Sequence, residues 1–278
     1  MDWKGREQSQ NVEDRRGSSG GGGGKAPGIL GIIVVLVGAY YGVDLSGLVG
    51  TPSMGTGSTQ TSQLKPQEEA ELNELARVVL ADTEKAWGSY FKQIGRTYTP
   101  TTMVLYNGGT STACGMGQSA MGPFYCPGDQ KVYLDLDFYR DMQTKLNSAS
   151  DAAFAYVIAH EVGHHVQNLL GILPKVHRIQ QQVGKKEANA LSVKLELQAD
   201  CYAGIWGHYA VNNNIFKAED ITKAMLAAES VGDDRLQKEG QGYVVPDSFT
   251  HGSSEQRMAW LKRGLESGDI NQCNTFGN

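Results

Sequence analysis

The apolar positions divide the chain into an N-terminal region and a C-terminal domain with different patterns. Residues 1–27 are polar, carry charges of both signs and include an unbroken glycine run at 20–24. A segment with so little to bury predicts a disordered tail. Residues 28–50 are almost entirely apolar, and about 20 such residues suffice to span a bilayer as a helix. We therefore predict one transmembrane helix over residues 28–50, with a buried core helix and a cleaved signal peptide as the alternatives.

The distribution of cations around this apolar segment predicts its orientation. Five Lys or Arg residues precede it, and the first cation after it is Lys65. The positive-inside rule places the N-terminus in the cytosol and the rest of the chain in the periplasm or the extracellular space. Residues 51–67 are rich in Ser, Thr, Gly and Gln and predict a flexible stalk. The sequence thus predicts a single-pass membrane protein whose folded domain covers residues 68–278.

The domain shows helical periodicity at both ends and strand-like patterns between them. Apolar residues recur at three- and four-residue steps from 72 to 94, which is typical of an amphipathic helix. Residues 102–106 and 131–138 predict short antiparallel strands that bracket a Gly-rich loop. From Asp151 the pattern is helical almost to the end. The predicted fold class is therefore α+β, mostly helical with a small antiparallel sheet, preceded by the transmembrane helix.

The four cysteines all lie in the predicted domain, at Cys114, Cys126, Cys201 and Cys273. An even number in an exported domain predicts disulfides. Of the three possible pairings we favour Cys114 with Cys126, which closes the Gly-rich loop, and Cys201 with Cys273, which ties the tail to a helix. Four buried free thiols in a cytosolic protein are the alternative.

The predicted helix that starts near Asp151 contains the sequence HEVGH at residues 160–164. Residues four apart lie on one face of a helix, so His160 and His164 can bind one ion, with Glu161 beside them. The preceding residues are apolar, and buried imidazoles need a polar partner. The motif therefore predicts a zinc site, and a helix with two histidines that bind nothing is the alternative.

A second helical stretch supplies the acidic residues that such a site requires. A catalytic zinc site takes three protein ligands and keeps a fourth position open for water. Glu196 can complete the ligand set, and Asp200, one turn further on, can fix the tautomer of a ligating histidine. Taken alone, the pair would be an exposed Glu and Asp on a charged helix face. Together with the two histidines, it predicts one Zn²⁺ per chain.

The segments HEVGHH and ELQADCYAG resemble zinc peptidases in which two histidines and a downstream glutamate bind the metal. More narrowly, the chain resembles the bacterial membrane-anchored neutral zinc metallopeptidase family from about residue 67 to the C-terminus. The resemblance implies a zincin-like domain with His160, His164 and Glu196 as ligands and Glu161 as general base. It also implies that Asp200 accepts a hydrogen bond from a ligating histidine.

His251 lies in a Thr-His-Gly segment that resembles a Thr-His-Pro segment of some membrane-linked zinc peptidases. In this chain Gly252 stands where those peptidases have proline. His251 is therefore our candidate for stabilising the oxyanion, with a helix-capping role for residues 253–256 as an equal alternative.

The predicted function is hydrolysis of peptide bonds by a zinc-activated water, with Glu161 as general base and a peptide or protein as substrate. The alternative is a non-catalytic envelope or surface module in which zinc only stabilises the fold. The 278-residue chain has a formal net charge of -5, which argues against nucleic acid as a partner. The sequence leaves the oligomeric state open.

Overall fold

The computed structural model describes residues 1–17 and 62–277. The strands are β1 (Val12–Asp14), β2 (Thr102–Tyr106), β3 (Gly109–Thr112), β4 (Gly115–Gln118), β5 (Phe124–Cys126) and β6 (Lys131–Asp135). The helices are α1 (Pro66–Gln93), α2 (Phe138–Thr144), α3 (Asp151–Leu169), α4 (Ile172–Gln180), α5 (Lys185–Asn212), α6 (Ala218–Ser230), α7 (Asp233–Gln241) and α8 (Ser254–Ser267). Short 3₁₀ helices cover Ser119–Met121, Pro246–Ser248 and Ile270–Cys273. The mostly helical character agrees with the prediction.

The strands form one four-stranded sheet, in the order β1-β2-β6-β5, and a separate hairpin of β3 and β4. β2 and β6 lie at the predicted positions, but they pair parallel, with Val104 opposite Tyr133. The expectation of a purely antiparallel sheet was therefore wrong. The chain makes the β3–β4 hairpin and then β5 before it enters β6, so it returns in the direction of β2. Among the strands of the described residues, β5 with β6 and β3 with β4 pair antiparallel.

The first residues of the chain pack against the domain. Trp3 is 3% exposed, and its indole Nε1 donates a hydrogen bond of 2.8 Å to Asp151 at the start of α3. β1 forms the edge of the sheet and runs parallel to β2, with Val12 opposite Met103. The predicted disorder of the tail is therefore wrong for residues 1–17. The remainder of the tail, to residue 27, lies outside the described residues.

This packing also corrects the predicted membrane topology. Residues 1–17 and the domain contact each other, whereas a single membrane crossing between them would place them on opposite sides. Within residues 1–17 and 62–277, no helix has both the length and the apolar character needed to span a bilayer. The predicted span over residues 28–50 itself falls outside the described residues, as does most of the predicted stalk. The single-pass arrangement, with a cytosolic N-terminus and an exported domain, is not supported.

Local capping fixes the ends of two helices that position the candidate site. α3 starts after Ser150, whose side chain caps the helix by accepting a hydrogen bond from the Ala153 N–H. Gly171, with a φ of 78°, follows the end of this helix. α8 begins with a capping box between Ser253 and Gln256. The capping alternative for residues 253–256 is therefore observed.

Close helix contacts bring the candidate site together around α5. A Cβ added at Gly163 of α3 would lie 3.1 Å from the carbonyl oxygen of Ala199 on α5. A Cβ at Gly264 of α8 would lie only 2.0 Å from the carbonyl oxygen of Cys201. Glycine at these two positions therefore lets α3 and α8 approach the α5 backbone closely.

Both favoured disulfides are confirmed. Cys114 bonds to Cys126, which joins the loop of the β3–β4 hairpin to β5. Cys201 bonds to Cys273, which joins the middle of α5 to the C-terminal 3₁₀ helix. The second bond lies one residue from Asp200, so it also secures the part of α5 that faces the candidate site.

Candidate metal centre

Three side chains from two helices converge at the crossing of α3 and α5. His160 Nε2 lies 3.1 Å from one carboxylate oxygen of Glu196, and His164 Nε2 lies 3.3 Å from the other. One ligand atom from each of the three residues lies within 4.8 Å of the other two. The structure thus brings together the predicted set of His160, His164 and Glu196 as a group that could hold a metal ion.

The chemistry of these side chains fits zinc. Both imidazoles face the Glu196 carboxylate, with His160 Nε2 at 3.1 Å from one oxygen and His164 Nε2 at 3.3 Å from the other. Two imidazoles and one carboxylate are also a donor set that zinc prefers in open, catalytic sites.

Asp200 holds the far nitrogen of His160 and is itself held by two residues that the sequence analysis did not single out. The Asp200 carboxylate lies 2.8 Å from His160 Nδ1 and accepts a hydrogen bond of 2.6 Å from the Tyr156 hydroxyl. Arg257 of α8 donates to both carboxylate oxygens, at 2.8 and 3.0 Å. Asp200 is fully buried and Arg257 is 5% exposed. This network presents the Nε2 of His160 to Glu196.

His164 is oriented by an amide rather than by a carboxylate. Its Nδ1 lies 2.9 Å from the side-chain oxygen of Gln167, one turn further along α3. Gln167 is fully buried and donates in turn to the Leu195 carbonyl oxygen at 2.8 Å and to Gln198 at 3.0 Å. The two imidazoles therefore have fixed ring orientations, each with its Nε2 on the side of Glu196.

The charges of the site are strongly coupled. Burial tends to lower the pKa of His160, but the carboxylates of Asp200 and Glu196 raise it to about 10. Burial tends to raise the pKa of Glu196, but His164 and His160 hold it well below its usual range. Because imidazole binds a metal ion in its unprotonated form, a metal ion that binds here would displace protons from these rings.

Glu161 has a different environment from Glu196. It is buried, and this burial raises the pKa of its carboxyl group, although His160 and His164 act in the opposite direction. A carboxylate with a raised pKa beside a metal site is suited to accept and return a proton near neutral pH. The pKa values of the two glutamates are thus shifted in opposite directions.

The loop at Thr250–Gly252 lies near the same group of residues. His251 Nδ1 is 3.3 Å from Asp233 and 2.9 Å from the hydroxyl of Thr250. The charge of His251 helps to lower the pKa of Glu196, after the effects of burial and of His164 and His160. The structure therefore places His251 within electrostatic reach of the metal-ligand candidates.

The remaining histidines lie outside the ligand group. His165 is fully buried, and its ring contacts the Tyr125 hydroxyl at 3.0 Å and the Thr99 carbonyl oxygen at 2.7 Å. His208 Nδ1 lies 2.9 Å from the Leu265 carbonyl oxygen. His177 is half-buried on α4, and burial together with the nearby charge of His164 lowers its pKa. His165 and His208 thus have hydrogen-bond partners outside the candidate metal site.

Two histidines on one helix turn, a glutamate between them and a carboxylate ligand from a second helix define a site of the zinc-peptidase class. The chain matches the family described as "Putative neutral zinc metallopeptidase" over residues 1–276. It belongs to that family, as the resemblance of its motifs indicates. The match includes residues 1–17, which the structure packs onto the domain.

Similar proteins occur in Escherichia coli and Mycobacterium tuberculosis. "Uncharacterized protein YpfJ" of Escherichia coli (strain K12) is 53% identical over 287 residues, covering 100% of this chain and 99% of its own length. "Uncharacterized protein Rv2575" of Mycobacterium tuberculosis (strain ATCC 25618 / H37Rv) is 40% identical over 222 residues, covering 74% of this chain and 73% of its own length. No solved structure matches the chain. These names assign no activity, so a functional argument must come from the site.

Proposed function

We propose that the chain is a zinc-dependent peptidase that holds one zinc ion through His160, His164 and Glu196. The observation that carries this proposal is the convergence of the three ligand atoms within 4.8 Å of one another, with Glu161 buried beside them. The family assignment supports the choice of metal and of reaction class.

The bound zinc would polarise the peptide carbonyl and make a water molecule a better nucleophile. Glu161 would take the proton from the attacking water and deliver it to the leaving amine. Its raised pKa suits both transfers, because the group must exist as a carboxylate before the first and as an acid before the second. Asp200 and Gln167 would keep the two imidazoles in their ligating orientation throughout.

His251 would donate a hydrogen bond to the oxyanion that develops on the substrate carbonyl. Its position near Glu196 supports this role. Its pKa is raised because Asp233 and Glu196 together outweigh the effect of burial, so the ring would carry a proton to donate. Donors of this kind typically account for about 10²–10³-fold in rate.

A purely structural zinc site is the competing hypothesis. Structural sites are normally closed by four protein ligands. Within the described residues the group contains three possible ligands, which leaves a coordination position for water or substrate. This count favours a catalytic site over a structural one.

The proposed function is tested by zinc content and proteolysis of the wild type and of Glu161→Gln. We expect one zinc per chain in both, because Glu161 is not a ligand, and a fall in cleavage of an unfolded protein of about 10²–10⁴-fold in the variant. Glu187→Gln is the matched control, since Glu187 is exposed in the first turn of α5. Zinc-loaded wild type that cleaves neither an unfolded protein nor a peptide library, or a variant as active as the wild type, would overturn the proposal.

A further inference from the structure

We propose that Asp233 is the positioning residue for His251, and that it fixes both the backbone of the Thr250–Gly252 loop and the orientation of the imidazole ring. This inference rests on the proposed function, because it concerns how one residue of that site is held. Asp233 is the first residue of α7 and lies 18 residues before His251 in the sequence.

A single carboxylate oxygen of Asp233 organises the loop. It accepts hydrogen bonds from three consecutive backbone N–H groups, those of Thr250 at 2.9 Å, His251 at 2.6 Å and Gly252 at 3.0 Å. The Asp233 N–H in turn donates to the Gly252 carbonyl oxygen at 2.9 Å. Asp233 is 8% exposed, so these contacts are largely shielded from water. The loop therefore has a defined backbone conformation before any substrate binds.

The other carboxylate oxygen acts on the His251 ring. It lies 3.3 Å from Nδ1, which also lies 2.9 Å from the Thr250 hydroxyl. A proton on Nδ1 is favoured there, because a carboxylate accepts hydrogen bonds and cannot donate one when ionised. Nε2 lies on the opposite side of the imidazole, away from Asp233. The contact thus orients the ring so that Nδ1 faces Asp233 and Nε2 points away from it.

Glycine at position 252 is part of the same arrangement. Its φ is 94°, a value that proline cannot adopt. Its N–H is one of the three that donate a hydrogen bond to Asp233, and proline has no N–H to donate. A Cβ at this position would lie 3.1 Å from Leu197 and 3.4 Å from Val193, the two residues that flank the turn of α5 carrying Glu196. Gly252 therefore explains the departure from Thr-His-Pro: it lets the loop lie directly against α5.

The activity test compares the full-length, zinc-loaded wild type with Asp233→Asn. The amide oxygen of the new asparagine can still accept hydrogen bonds from the three backbone N–H groups of the loop. Its NH₂ group would then face His251 Nδ1. We expect kcat to fall about 10–100-fold, with KM and zinc content unchanged, which is the usual effect of losing an orienting partner. Asp234→Asn is the matched control, because Asp234 neighbours Asp233 but accepts hydrogen bonds from Ser254 N and Oγ at the start of α8.

A double-variant cycle separates positioning of His251 from a general loss of structure. If Asp233 acts through His251, Asp233→Asn combined with His251→Ala will be no slower than His251→Ala alone. Losses that multiply would contradict the proposal, as would an unchanged kcat in Asp233→Asn.

A second readout does not require activity. In ¹H–¹⁵N spectra of the histidine rings, wild-type His251 should carry protons on both Nδ1 and Nε2, and Asp233→Asn should lose the proton on Nδ1 because the new NH₂ is a donor. Asp234→Asn should leave the signal unchanged. The same protonation of Nδ1 in wild type and Asp233→Asn would refute the positioning role. An inactive wild type with the predicted loss of the Nδ1 proton in the variant would refute the peptidase function and leave the positioning of the ring intact.

Discussion

Replacing Arg257 tests the buried network that orients His160. Arg257→Met keeps most of the side-chain volume but removes both hydrogen bonds to Asp200, at 2.8 and 3.0 Å. The Asp200 carboxylate would then be fully buried, with the Tyr156 hydroxyl and His160 as its remaining side-chain partners. Removing one partner from a buried ion pair costs about 3–5 kcal/mol of folding free energy, because the other charge stays buried without compensation.

The assay is reversible unfolding in urea or by heat with both disulfides intact. For a domain of this size, a loss of about 3–5 kcal/mol lowers Tm by roughly 6–20 °C. The double variant Asp200→Asn/Arg257→Met should be more stable than Arg257→Met, since it buries no unpaired charge.

Arg235→Met is the control for the Arg257 experiment. It removes an ion pair with Glu239 of similar length, 3.0 Å, between side chains that are 37% and 53% exposed. The expected loss is below about 1 kcal/mol, as for other exposed pairs. If Arg257→Met were as mild as this control, or if the double variant were less stable than Arg257→Met, the reasoning about the buried network would be refuted.

Three further changes test other parts of the structure. Trp3→Ala should cost about 3–5 kcal/mol of folding free energy, because the indole is buried against the domain, whereas Trp3→Phe should cost less; equal stability of Trp3→Ala and wild type in urea unfolding would contradict the docking of residues 1–17. Cys201→Ala/Cys273→Ala opens a loop with a sequence separation of 72 residues and should cost about 4 kcal/mol, measured as a fall in Tm against the oxidised wild type; an unchanged Tm would oppose a stabilising role. Asp200→Asn should weaken zinc binding about 10–100-fold in competition with a chelator. Unchanged affinity would contradict the role of Asp200 as the residue that orients His160.

The sequence predicts the helical part of the site well because its determinants are local. Helical spacing places His160 and His164 on one face, and the same spacing places Glu196 and Asp200 on the facing side of α5. Each pair lies within a single turn, so its geometry follows from secondary structure alone. The distance between the two helices is the additional information that the structure supplies.

The residues that sequence analysis missed act over long separations. Arg257 reaches Asp200 across 57 residues and Tyr156 across 101, and no periodic pattern links them. Asp233 is one of several acidic residues in a polar stretch, and its role depends on the backbone of a loop 17–19 residues away. In the sequence Arg257 lies four residues before Leu261, and a cation on the apolar face of a helix was the signal that could have pointed to the first network.

The N-terminal region was misinterpreted because its order depends on the domain. β1 is three residues long, and its partner β2 supplies the backbone hydrogen bonds. In residues 1–17 the apolar anchors are the buried Trp3 and two partly buried neighbours of the core, Met1 and Val12. Composition alone indicates disorder for such a segment, since it cannot bury enough surface without the sheet edge.

The coordination of zinc in the purified protein tests the central claim most directly, and X-ray absorption at the zinc edge measures it. We predict one zinc per chain in a four-coordinate shell of nitrogen and oxygen only, with two imidazoles, the Glu196 carboxylate and one exchangeable water. His160→Ala, which removes one of the three clustered ligands, should lose one imidazole from the shell or lose the metal. A shell closed by four protein ligands, or one that is unchanged in His160→Ala, would contradict an open site built from His160, His164 and Glu196.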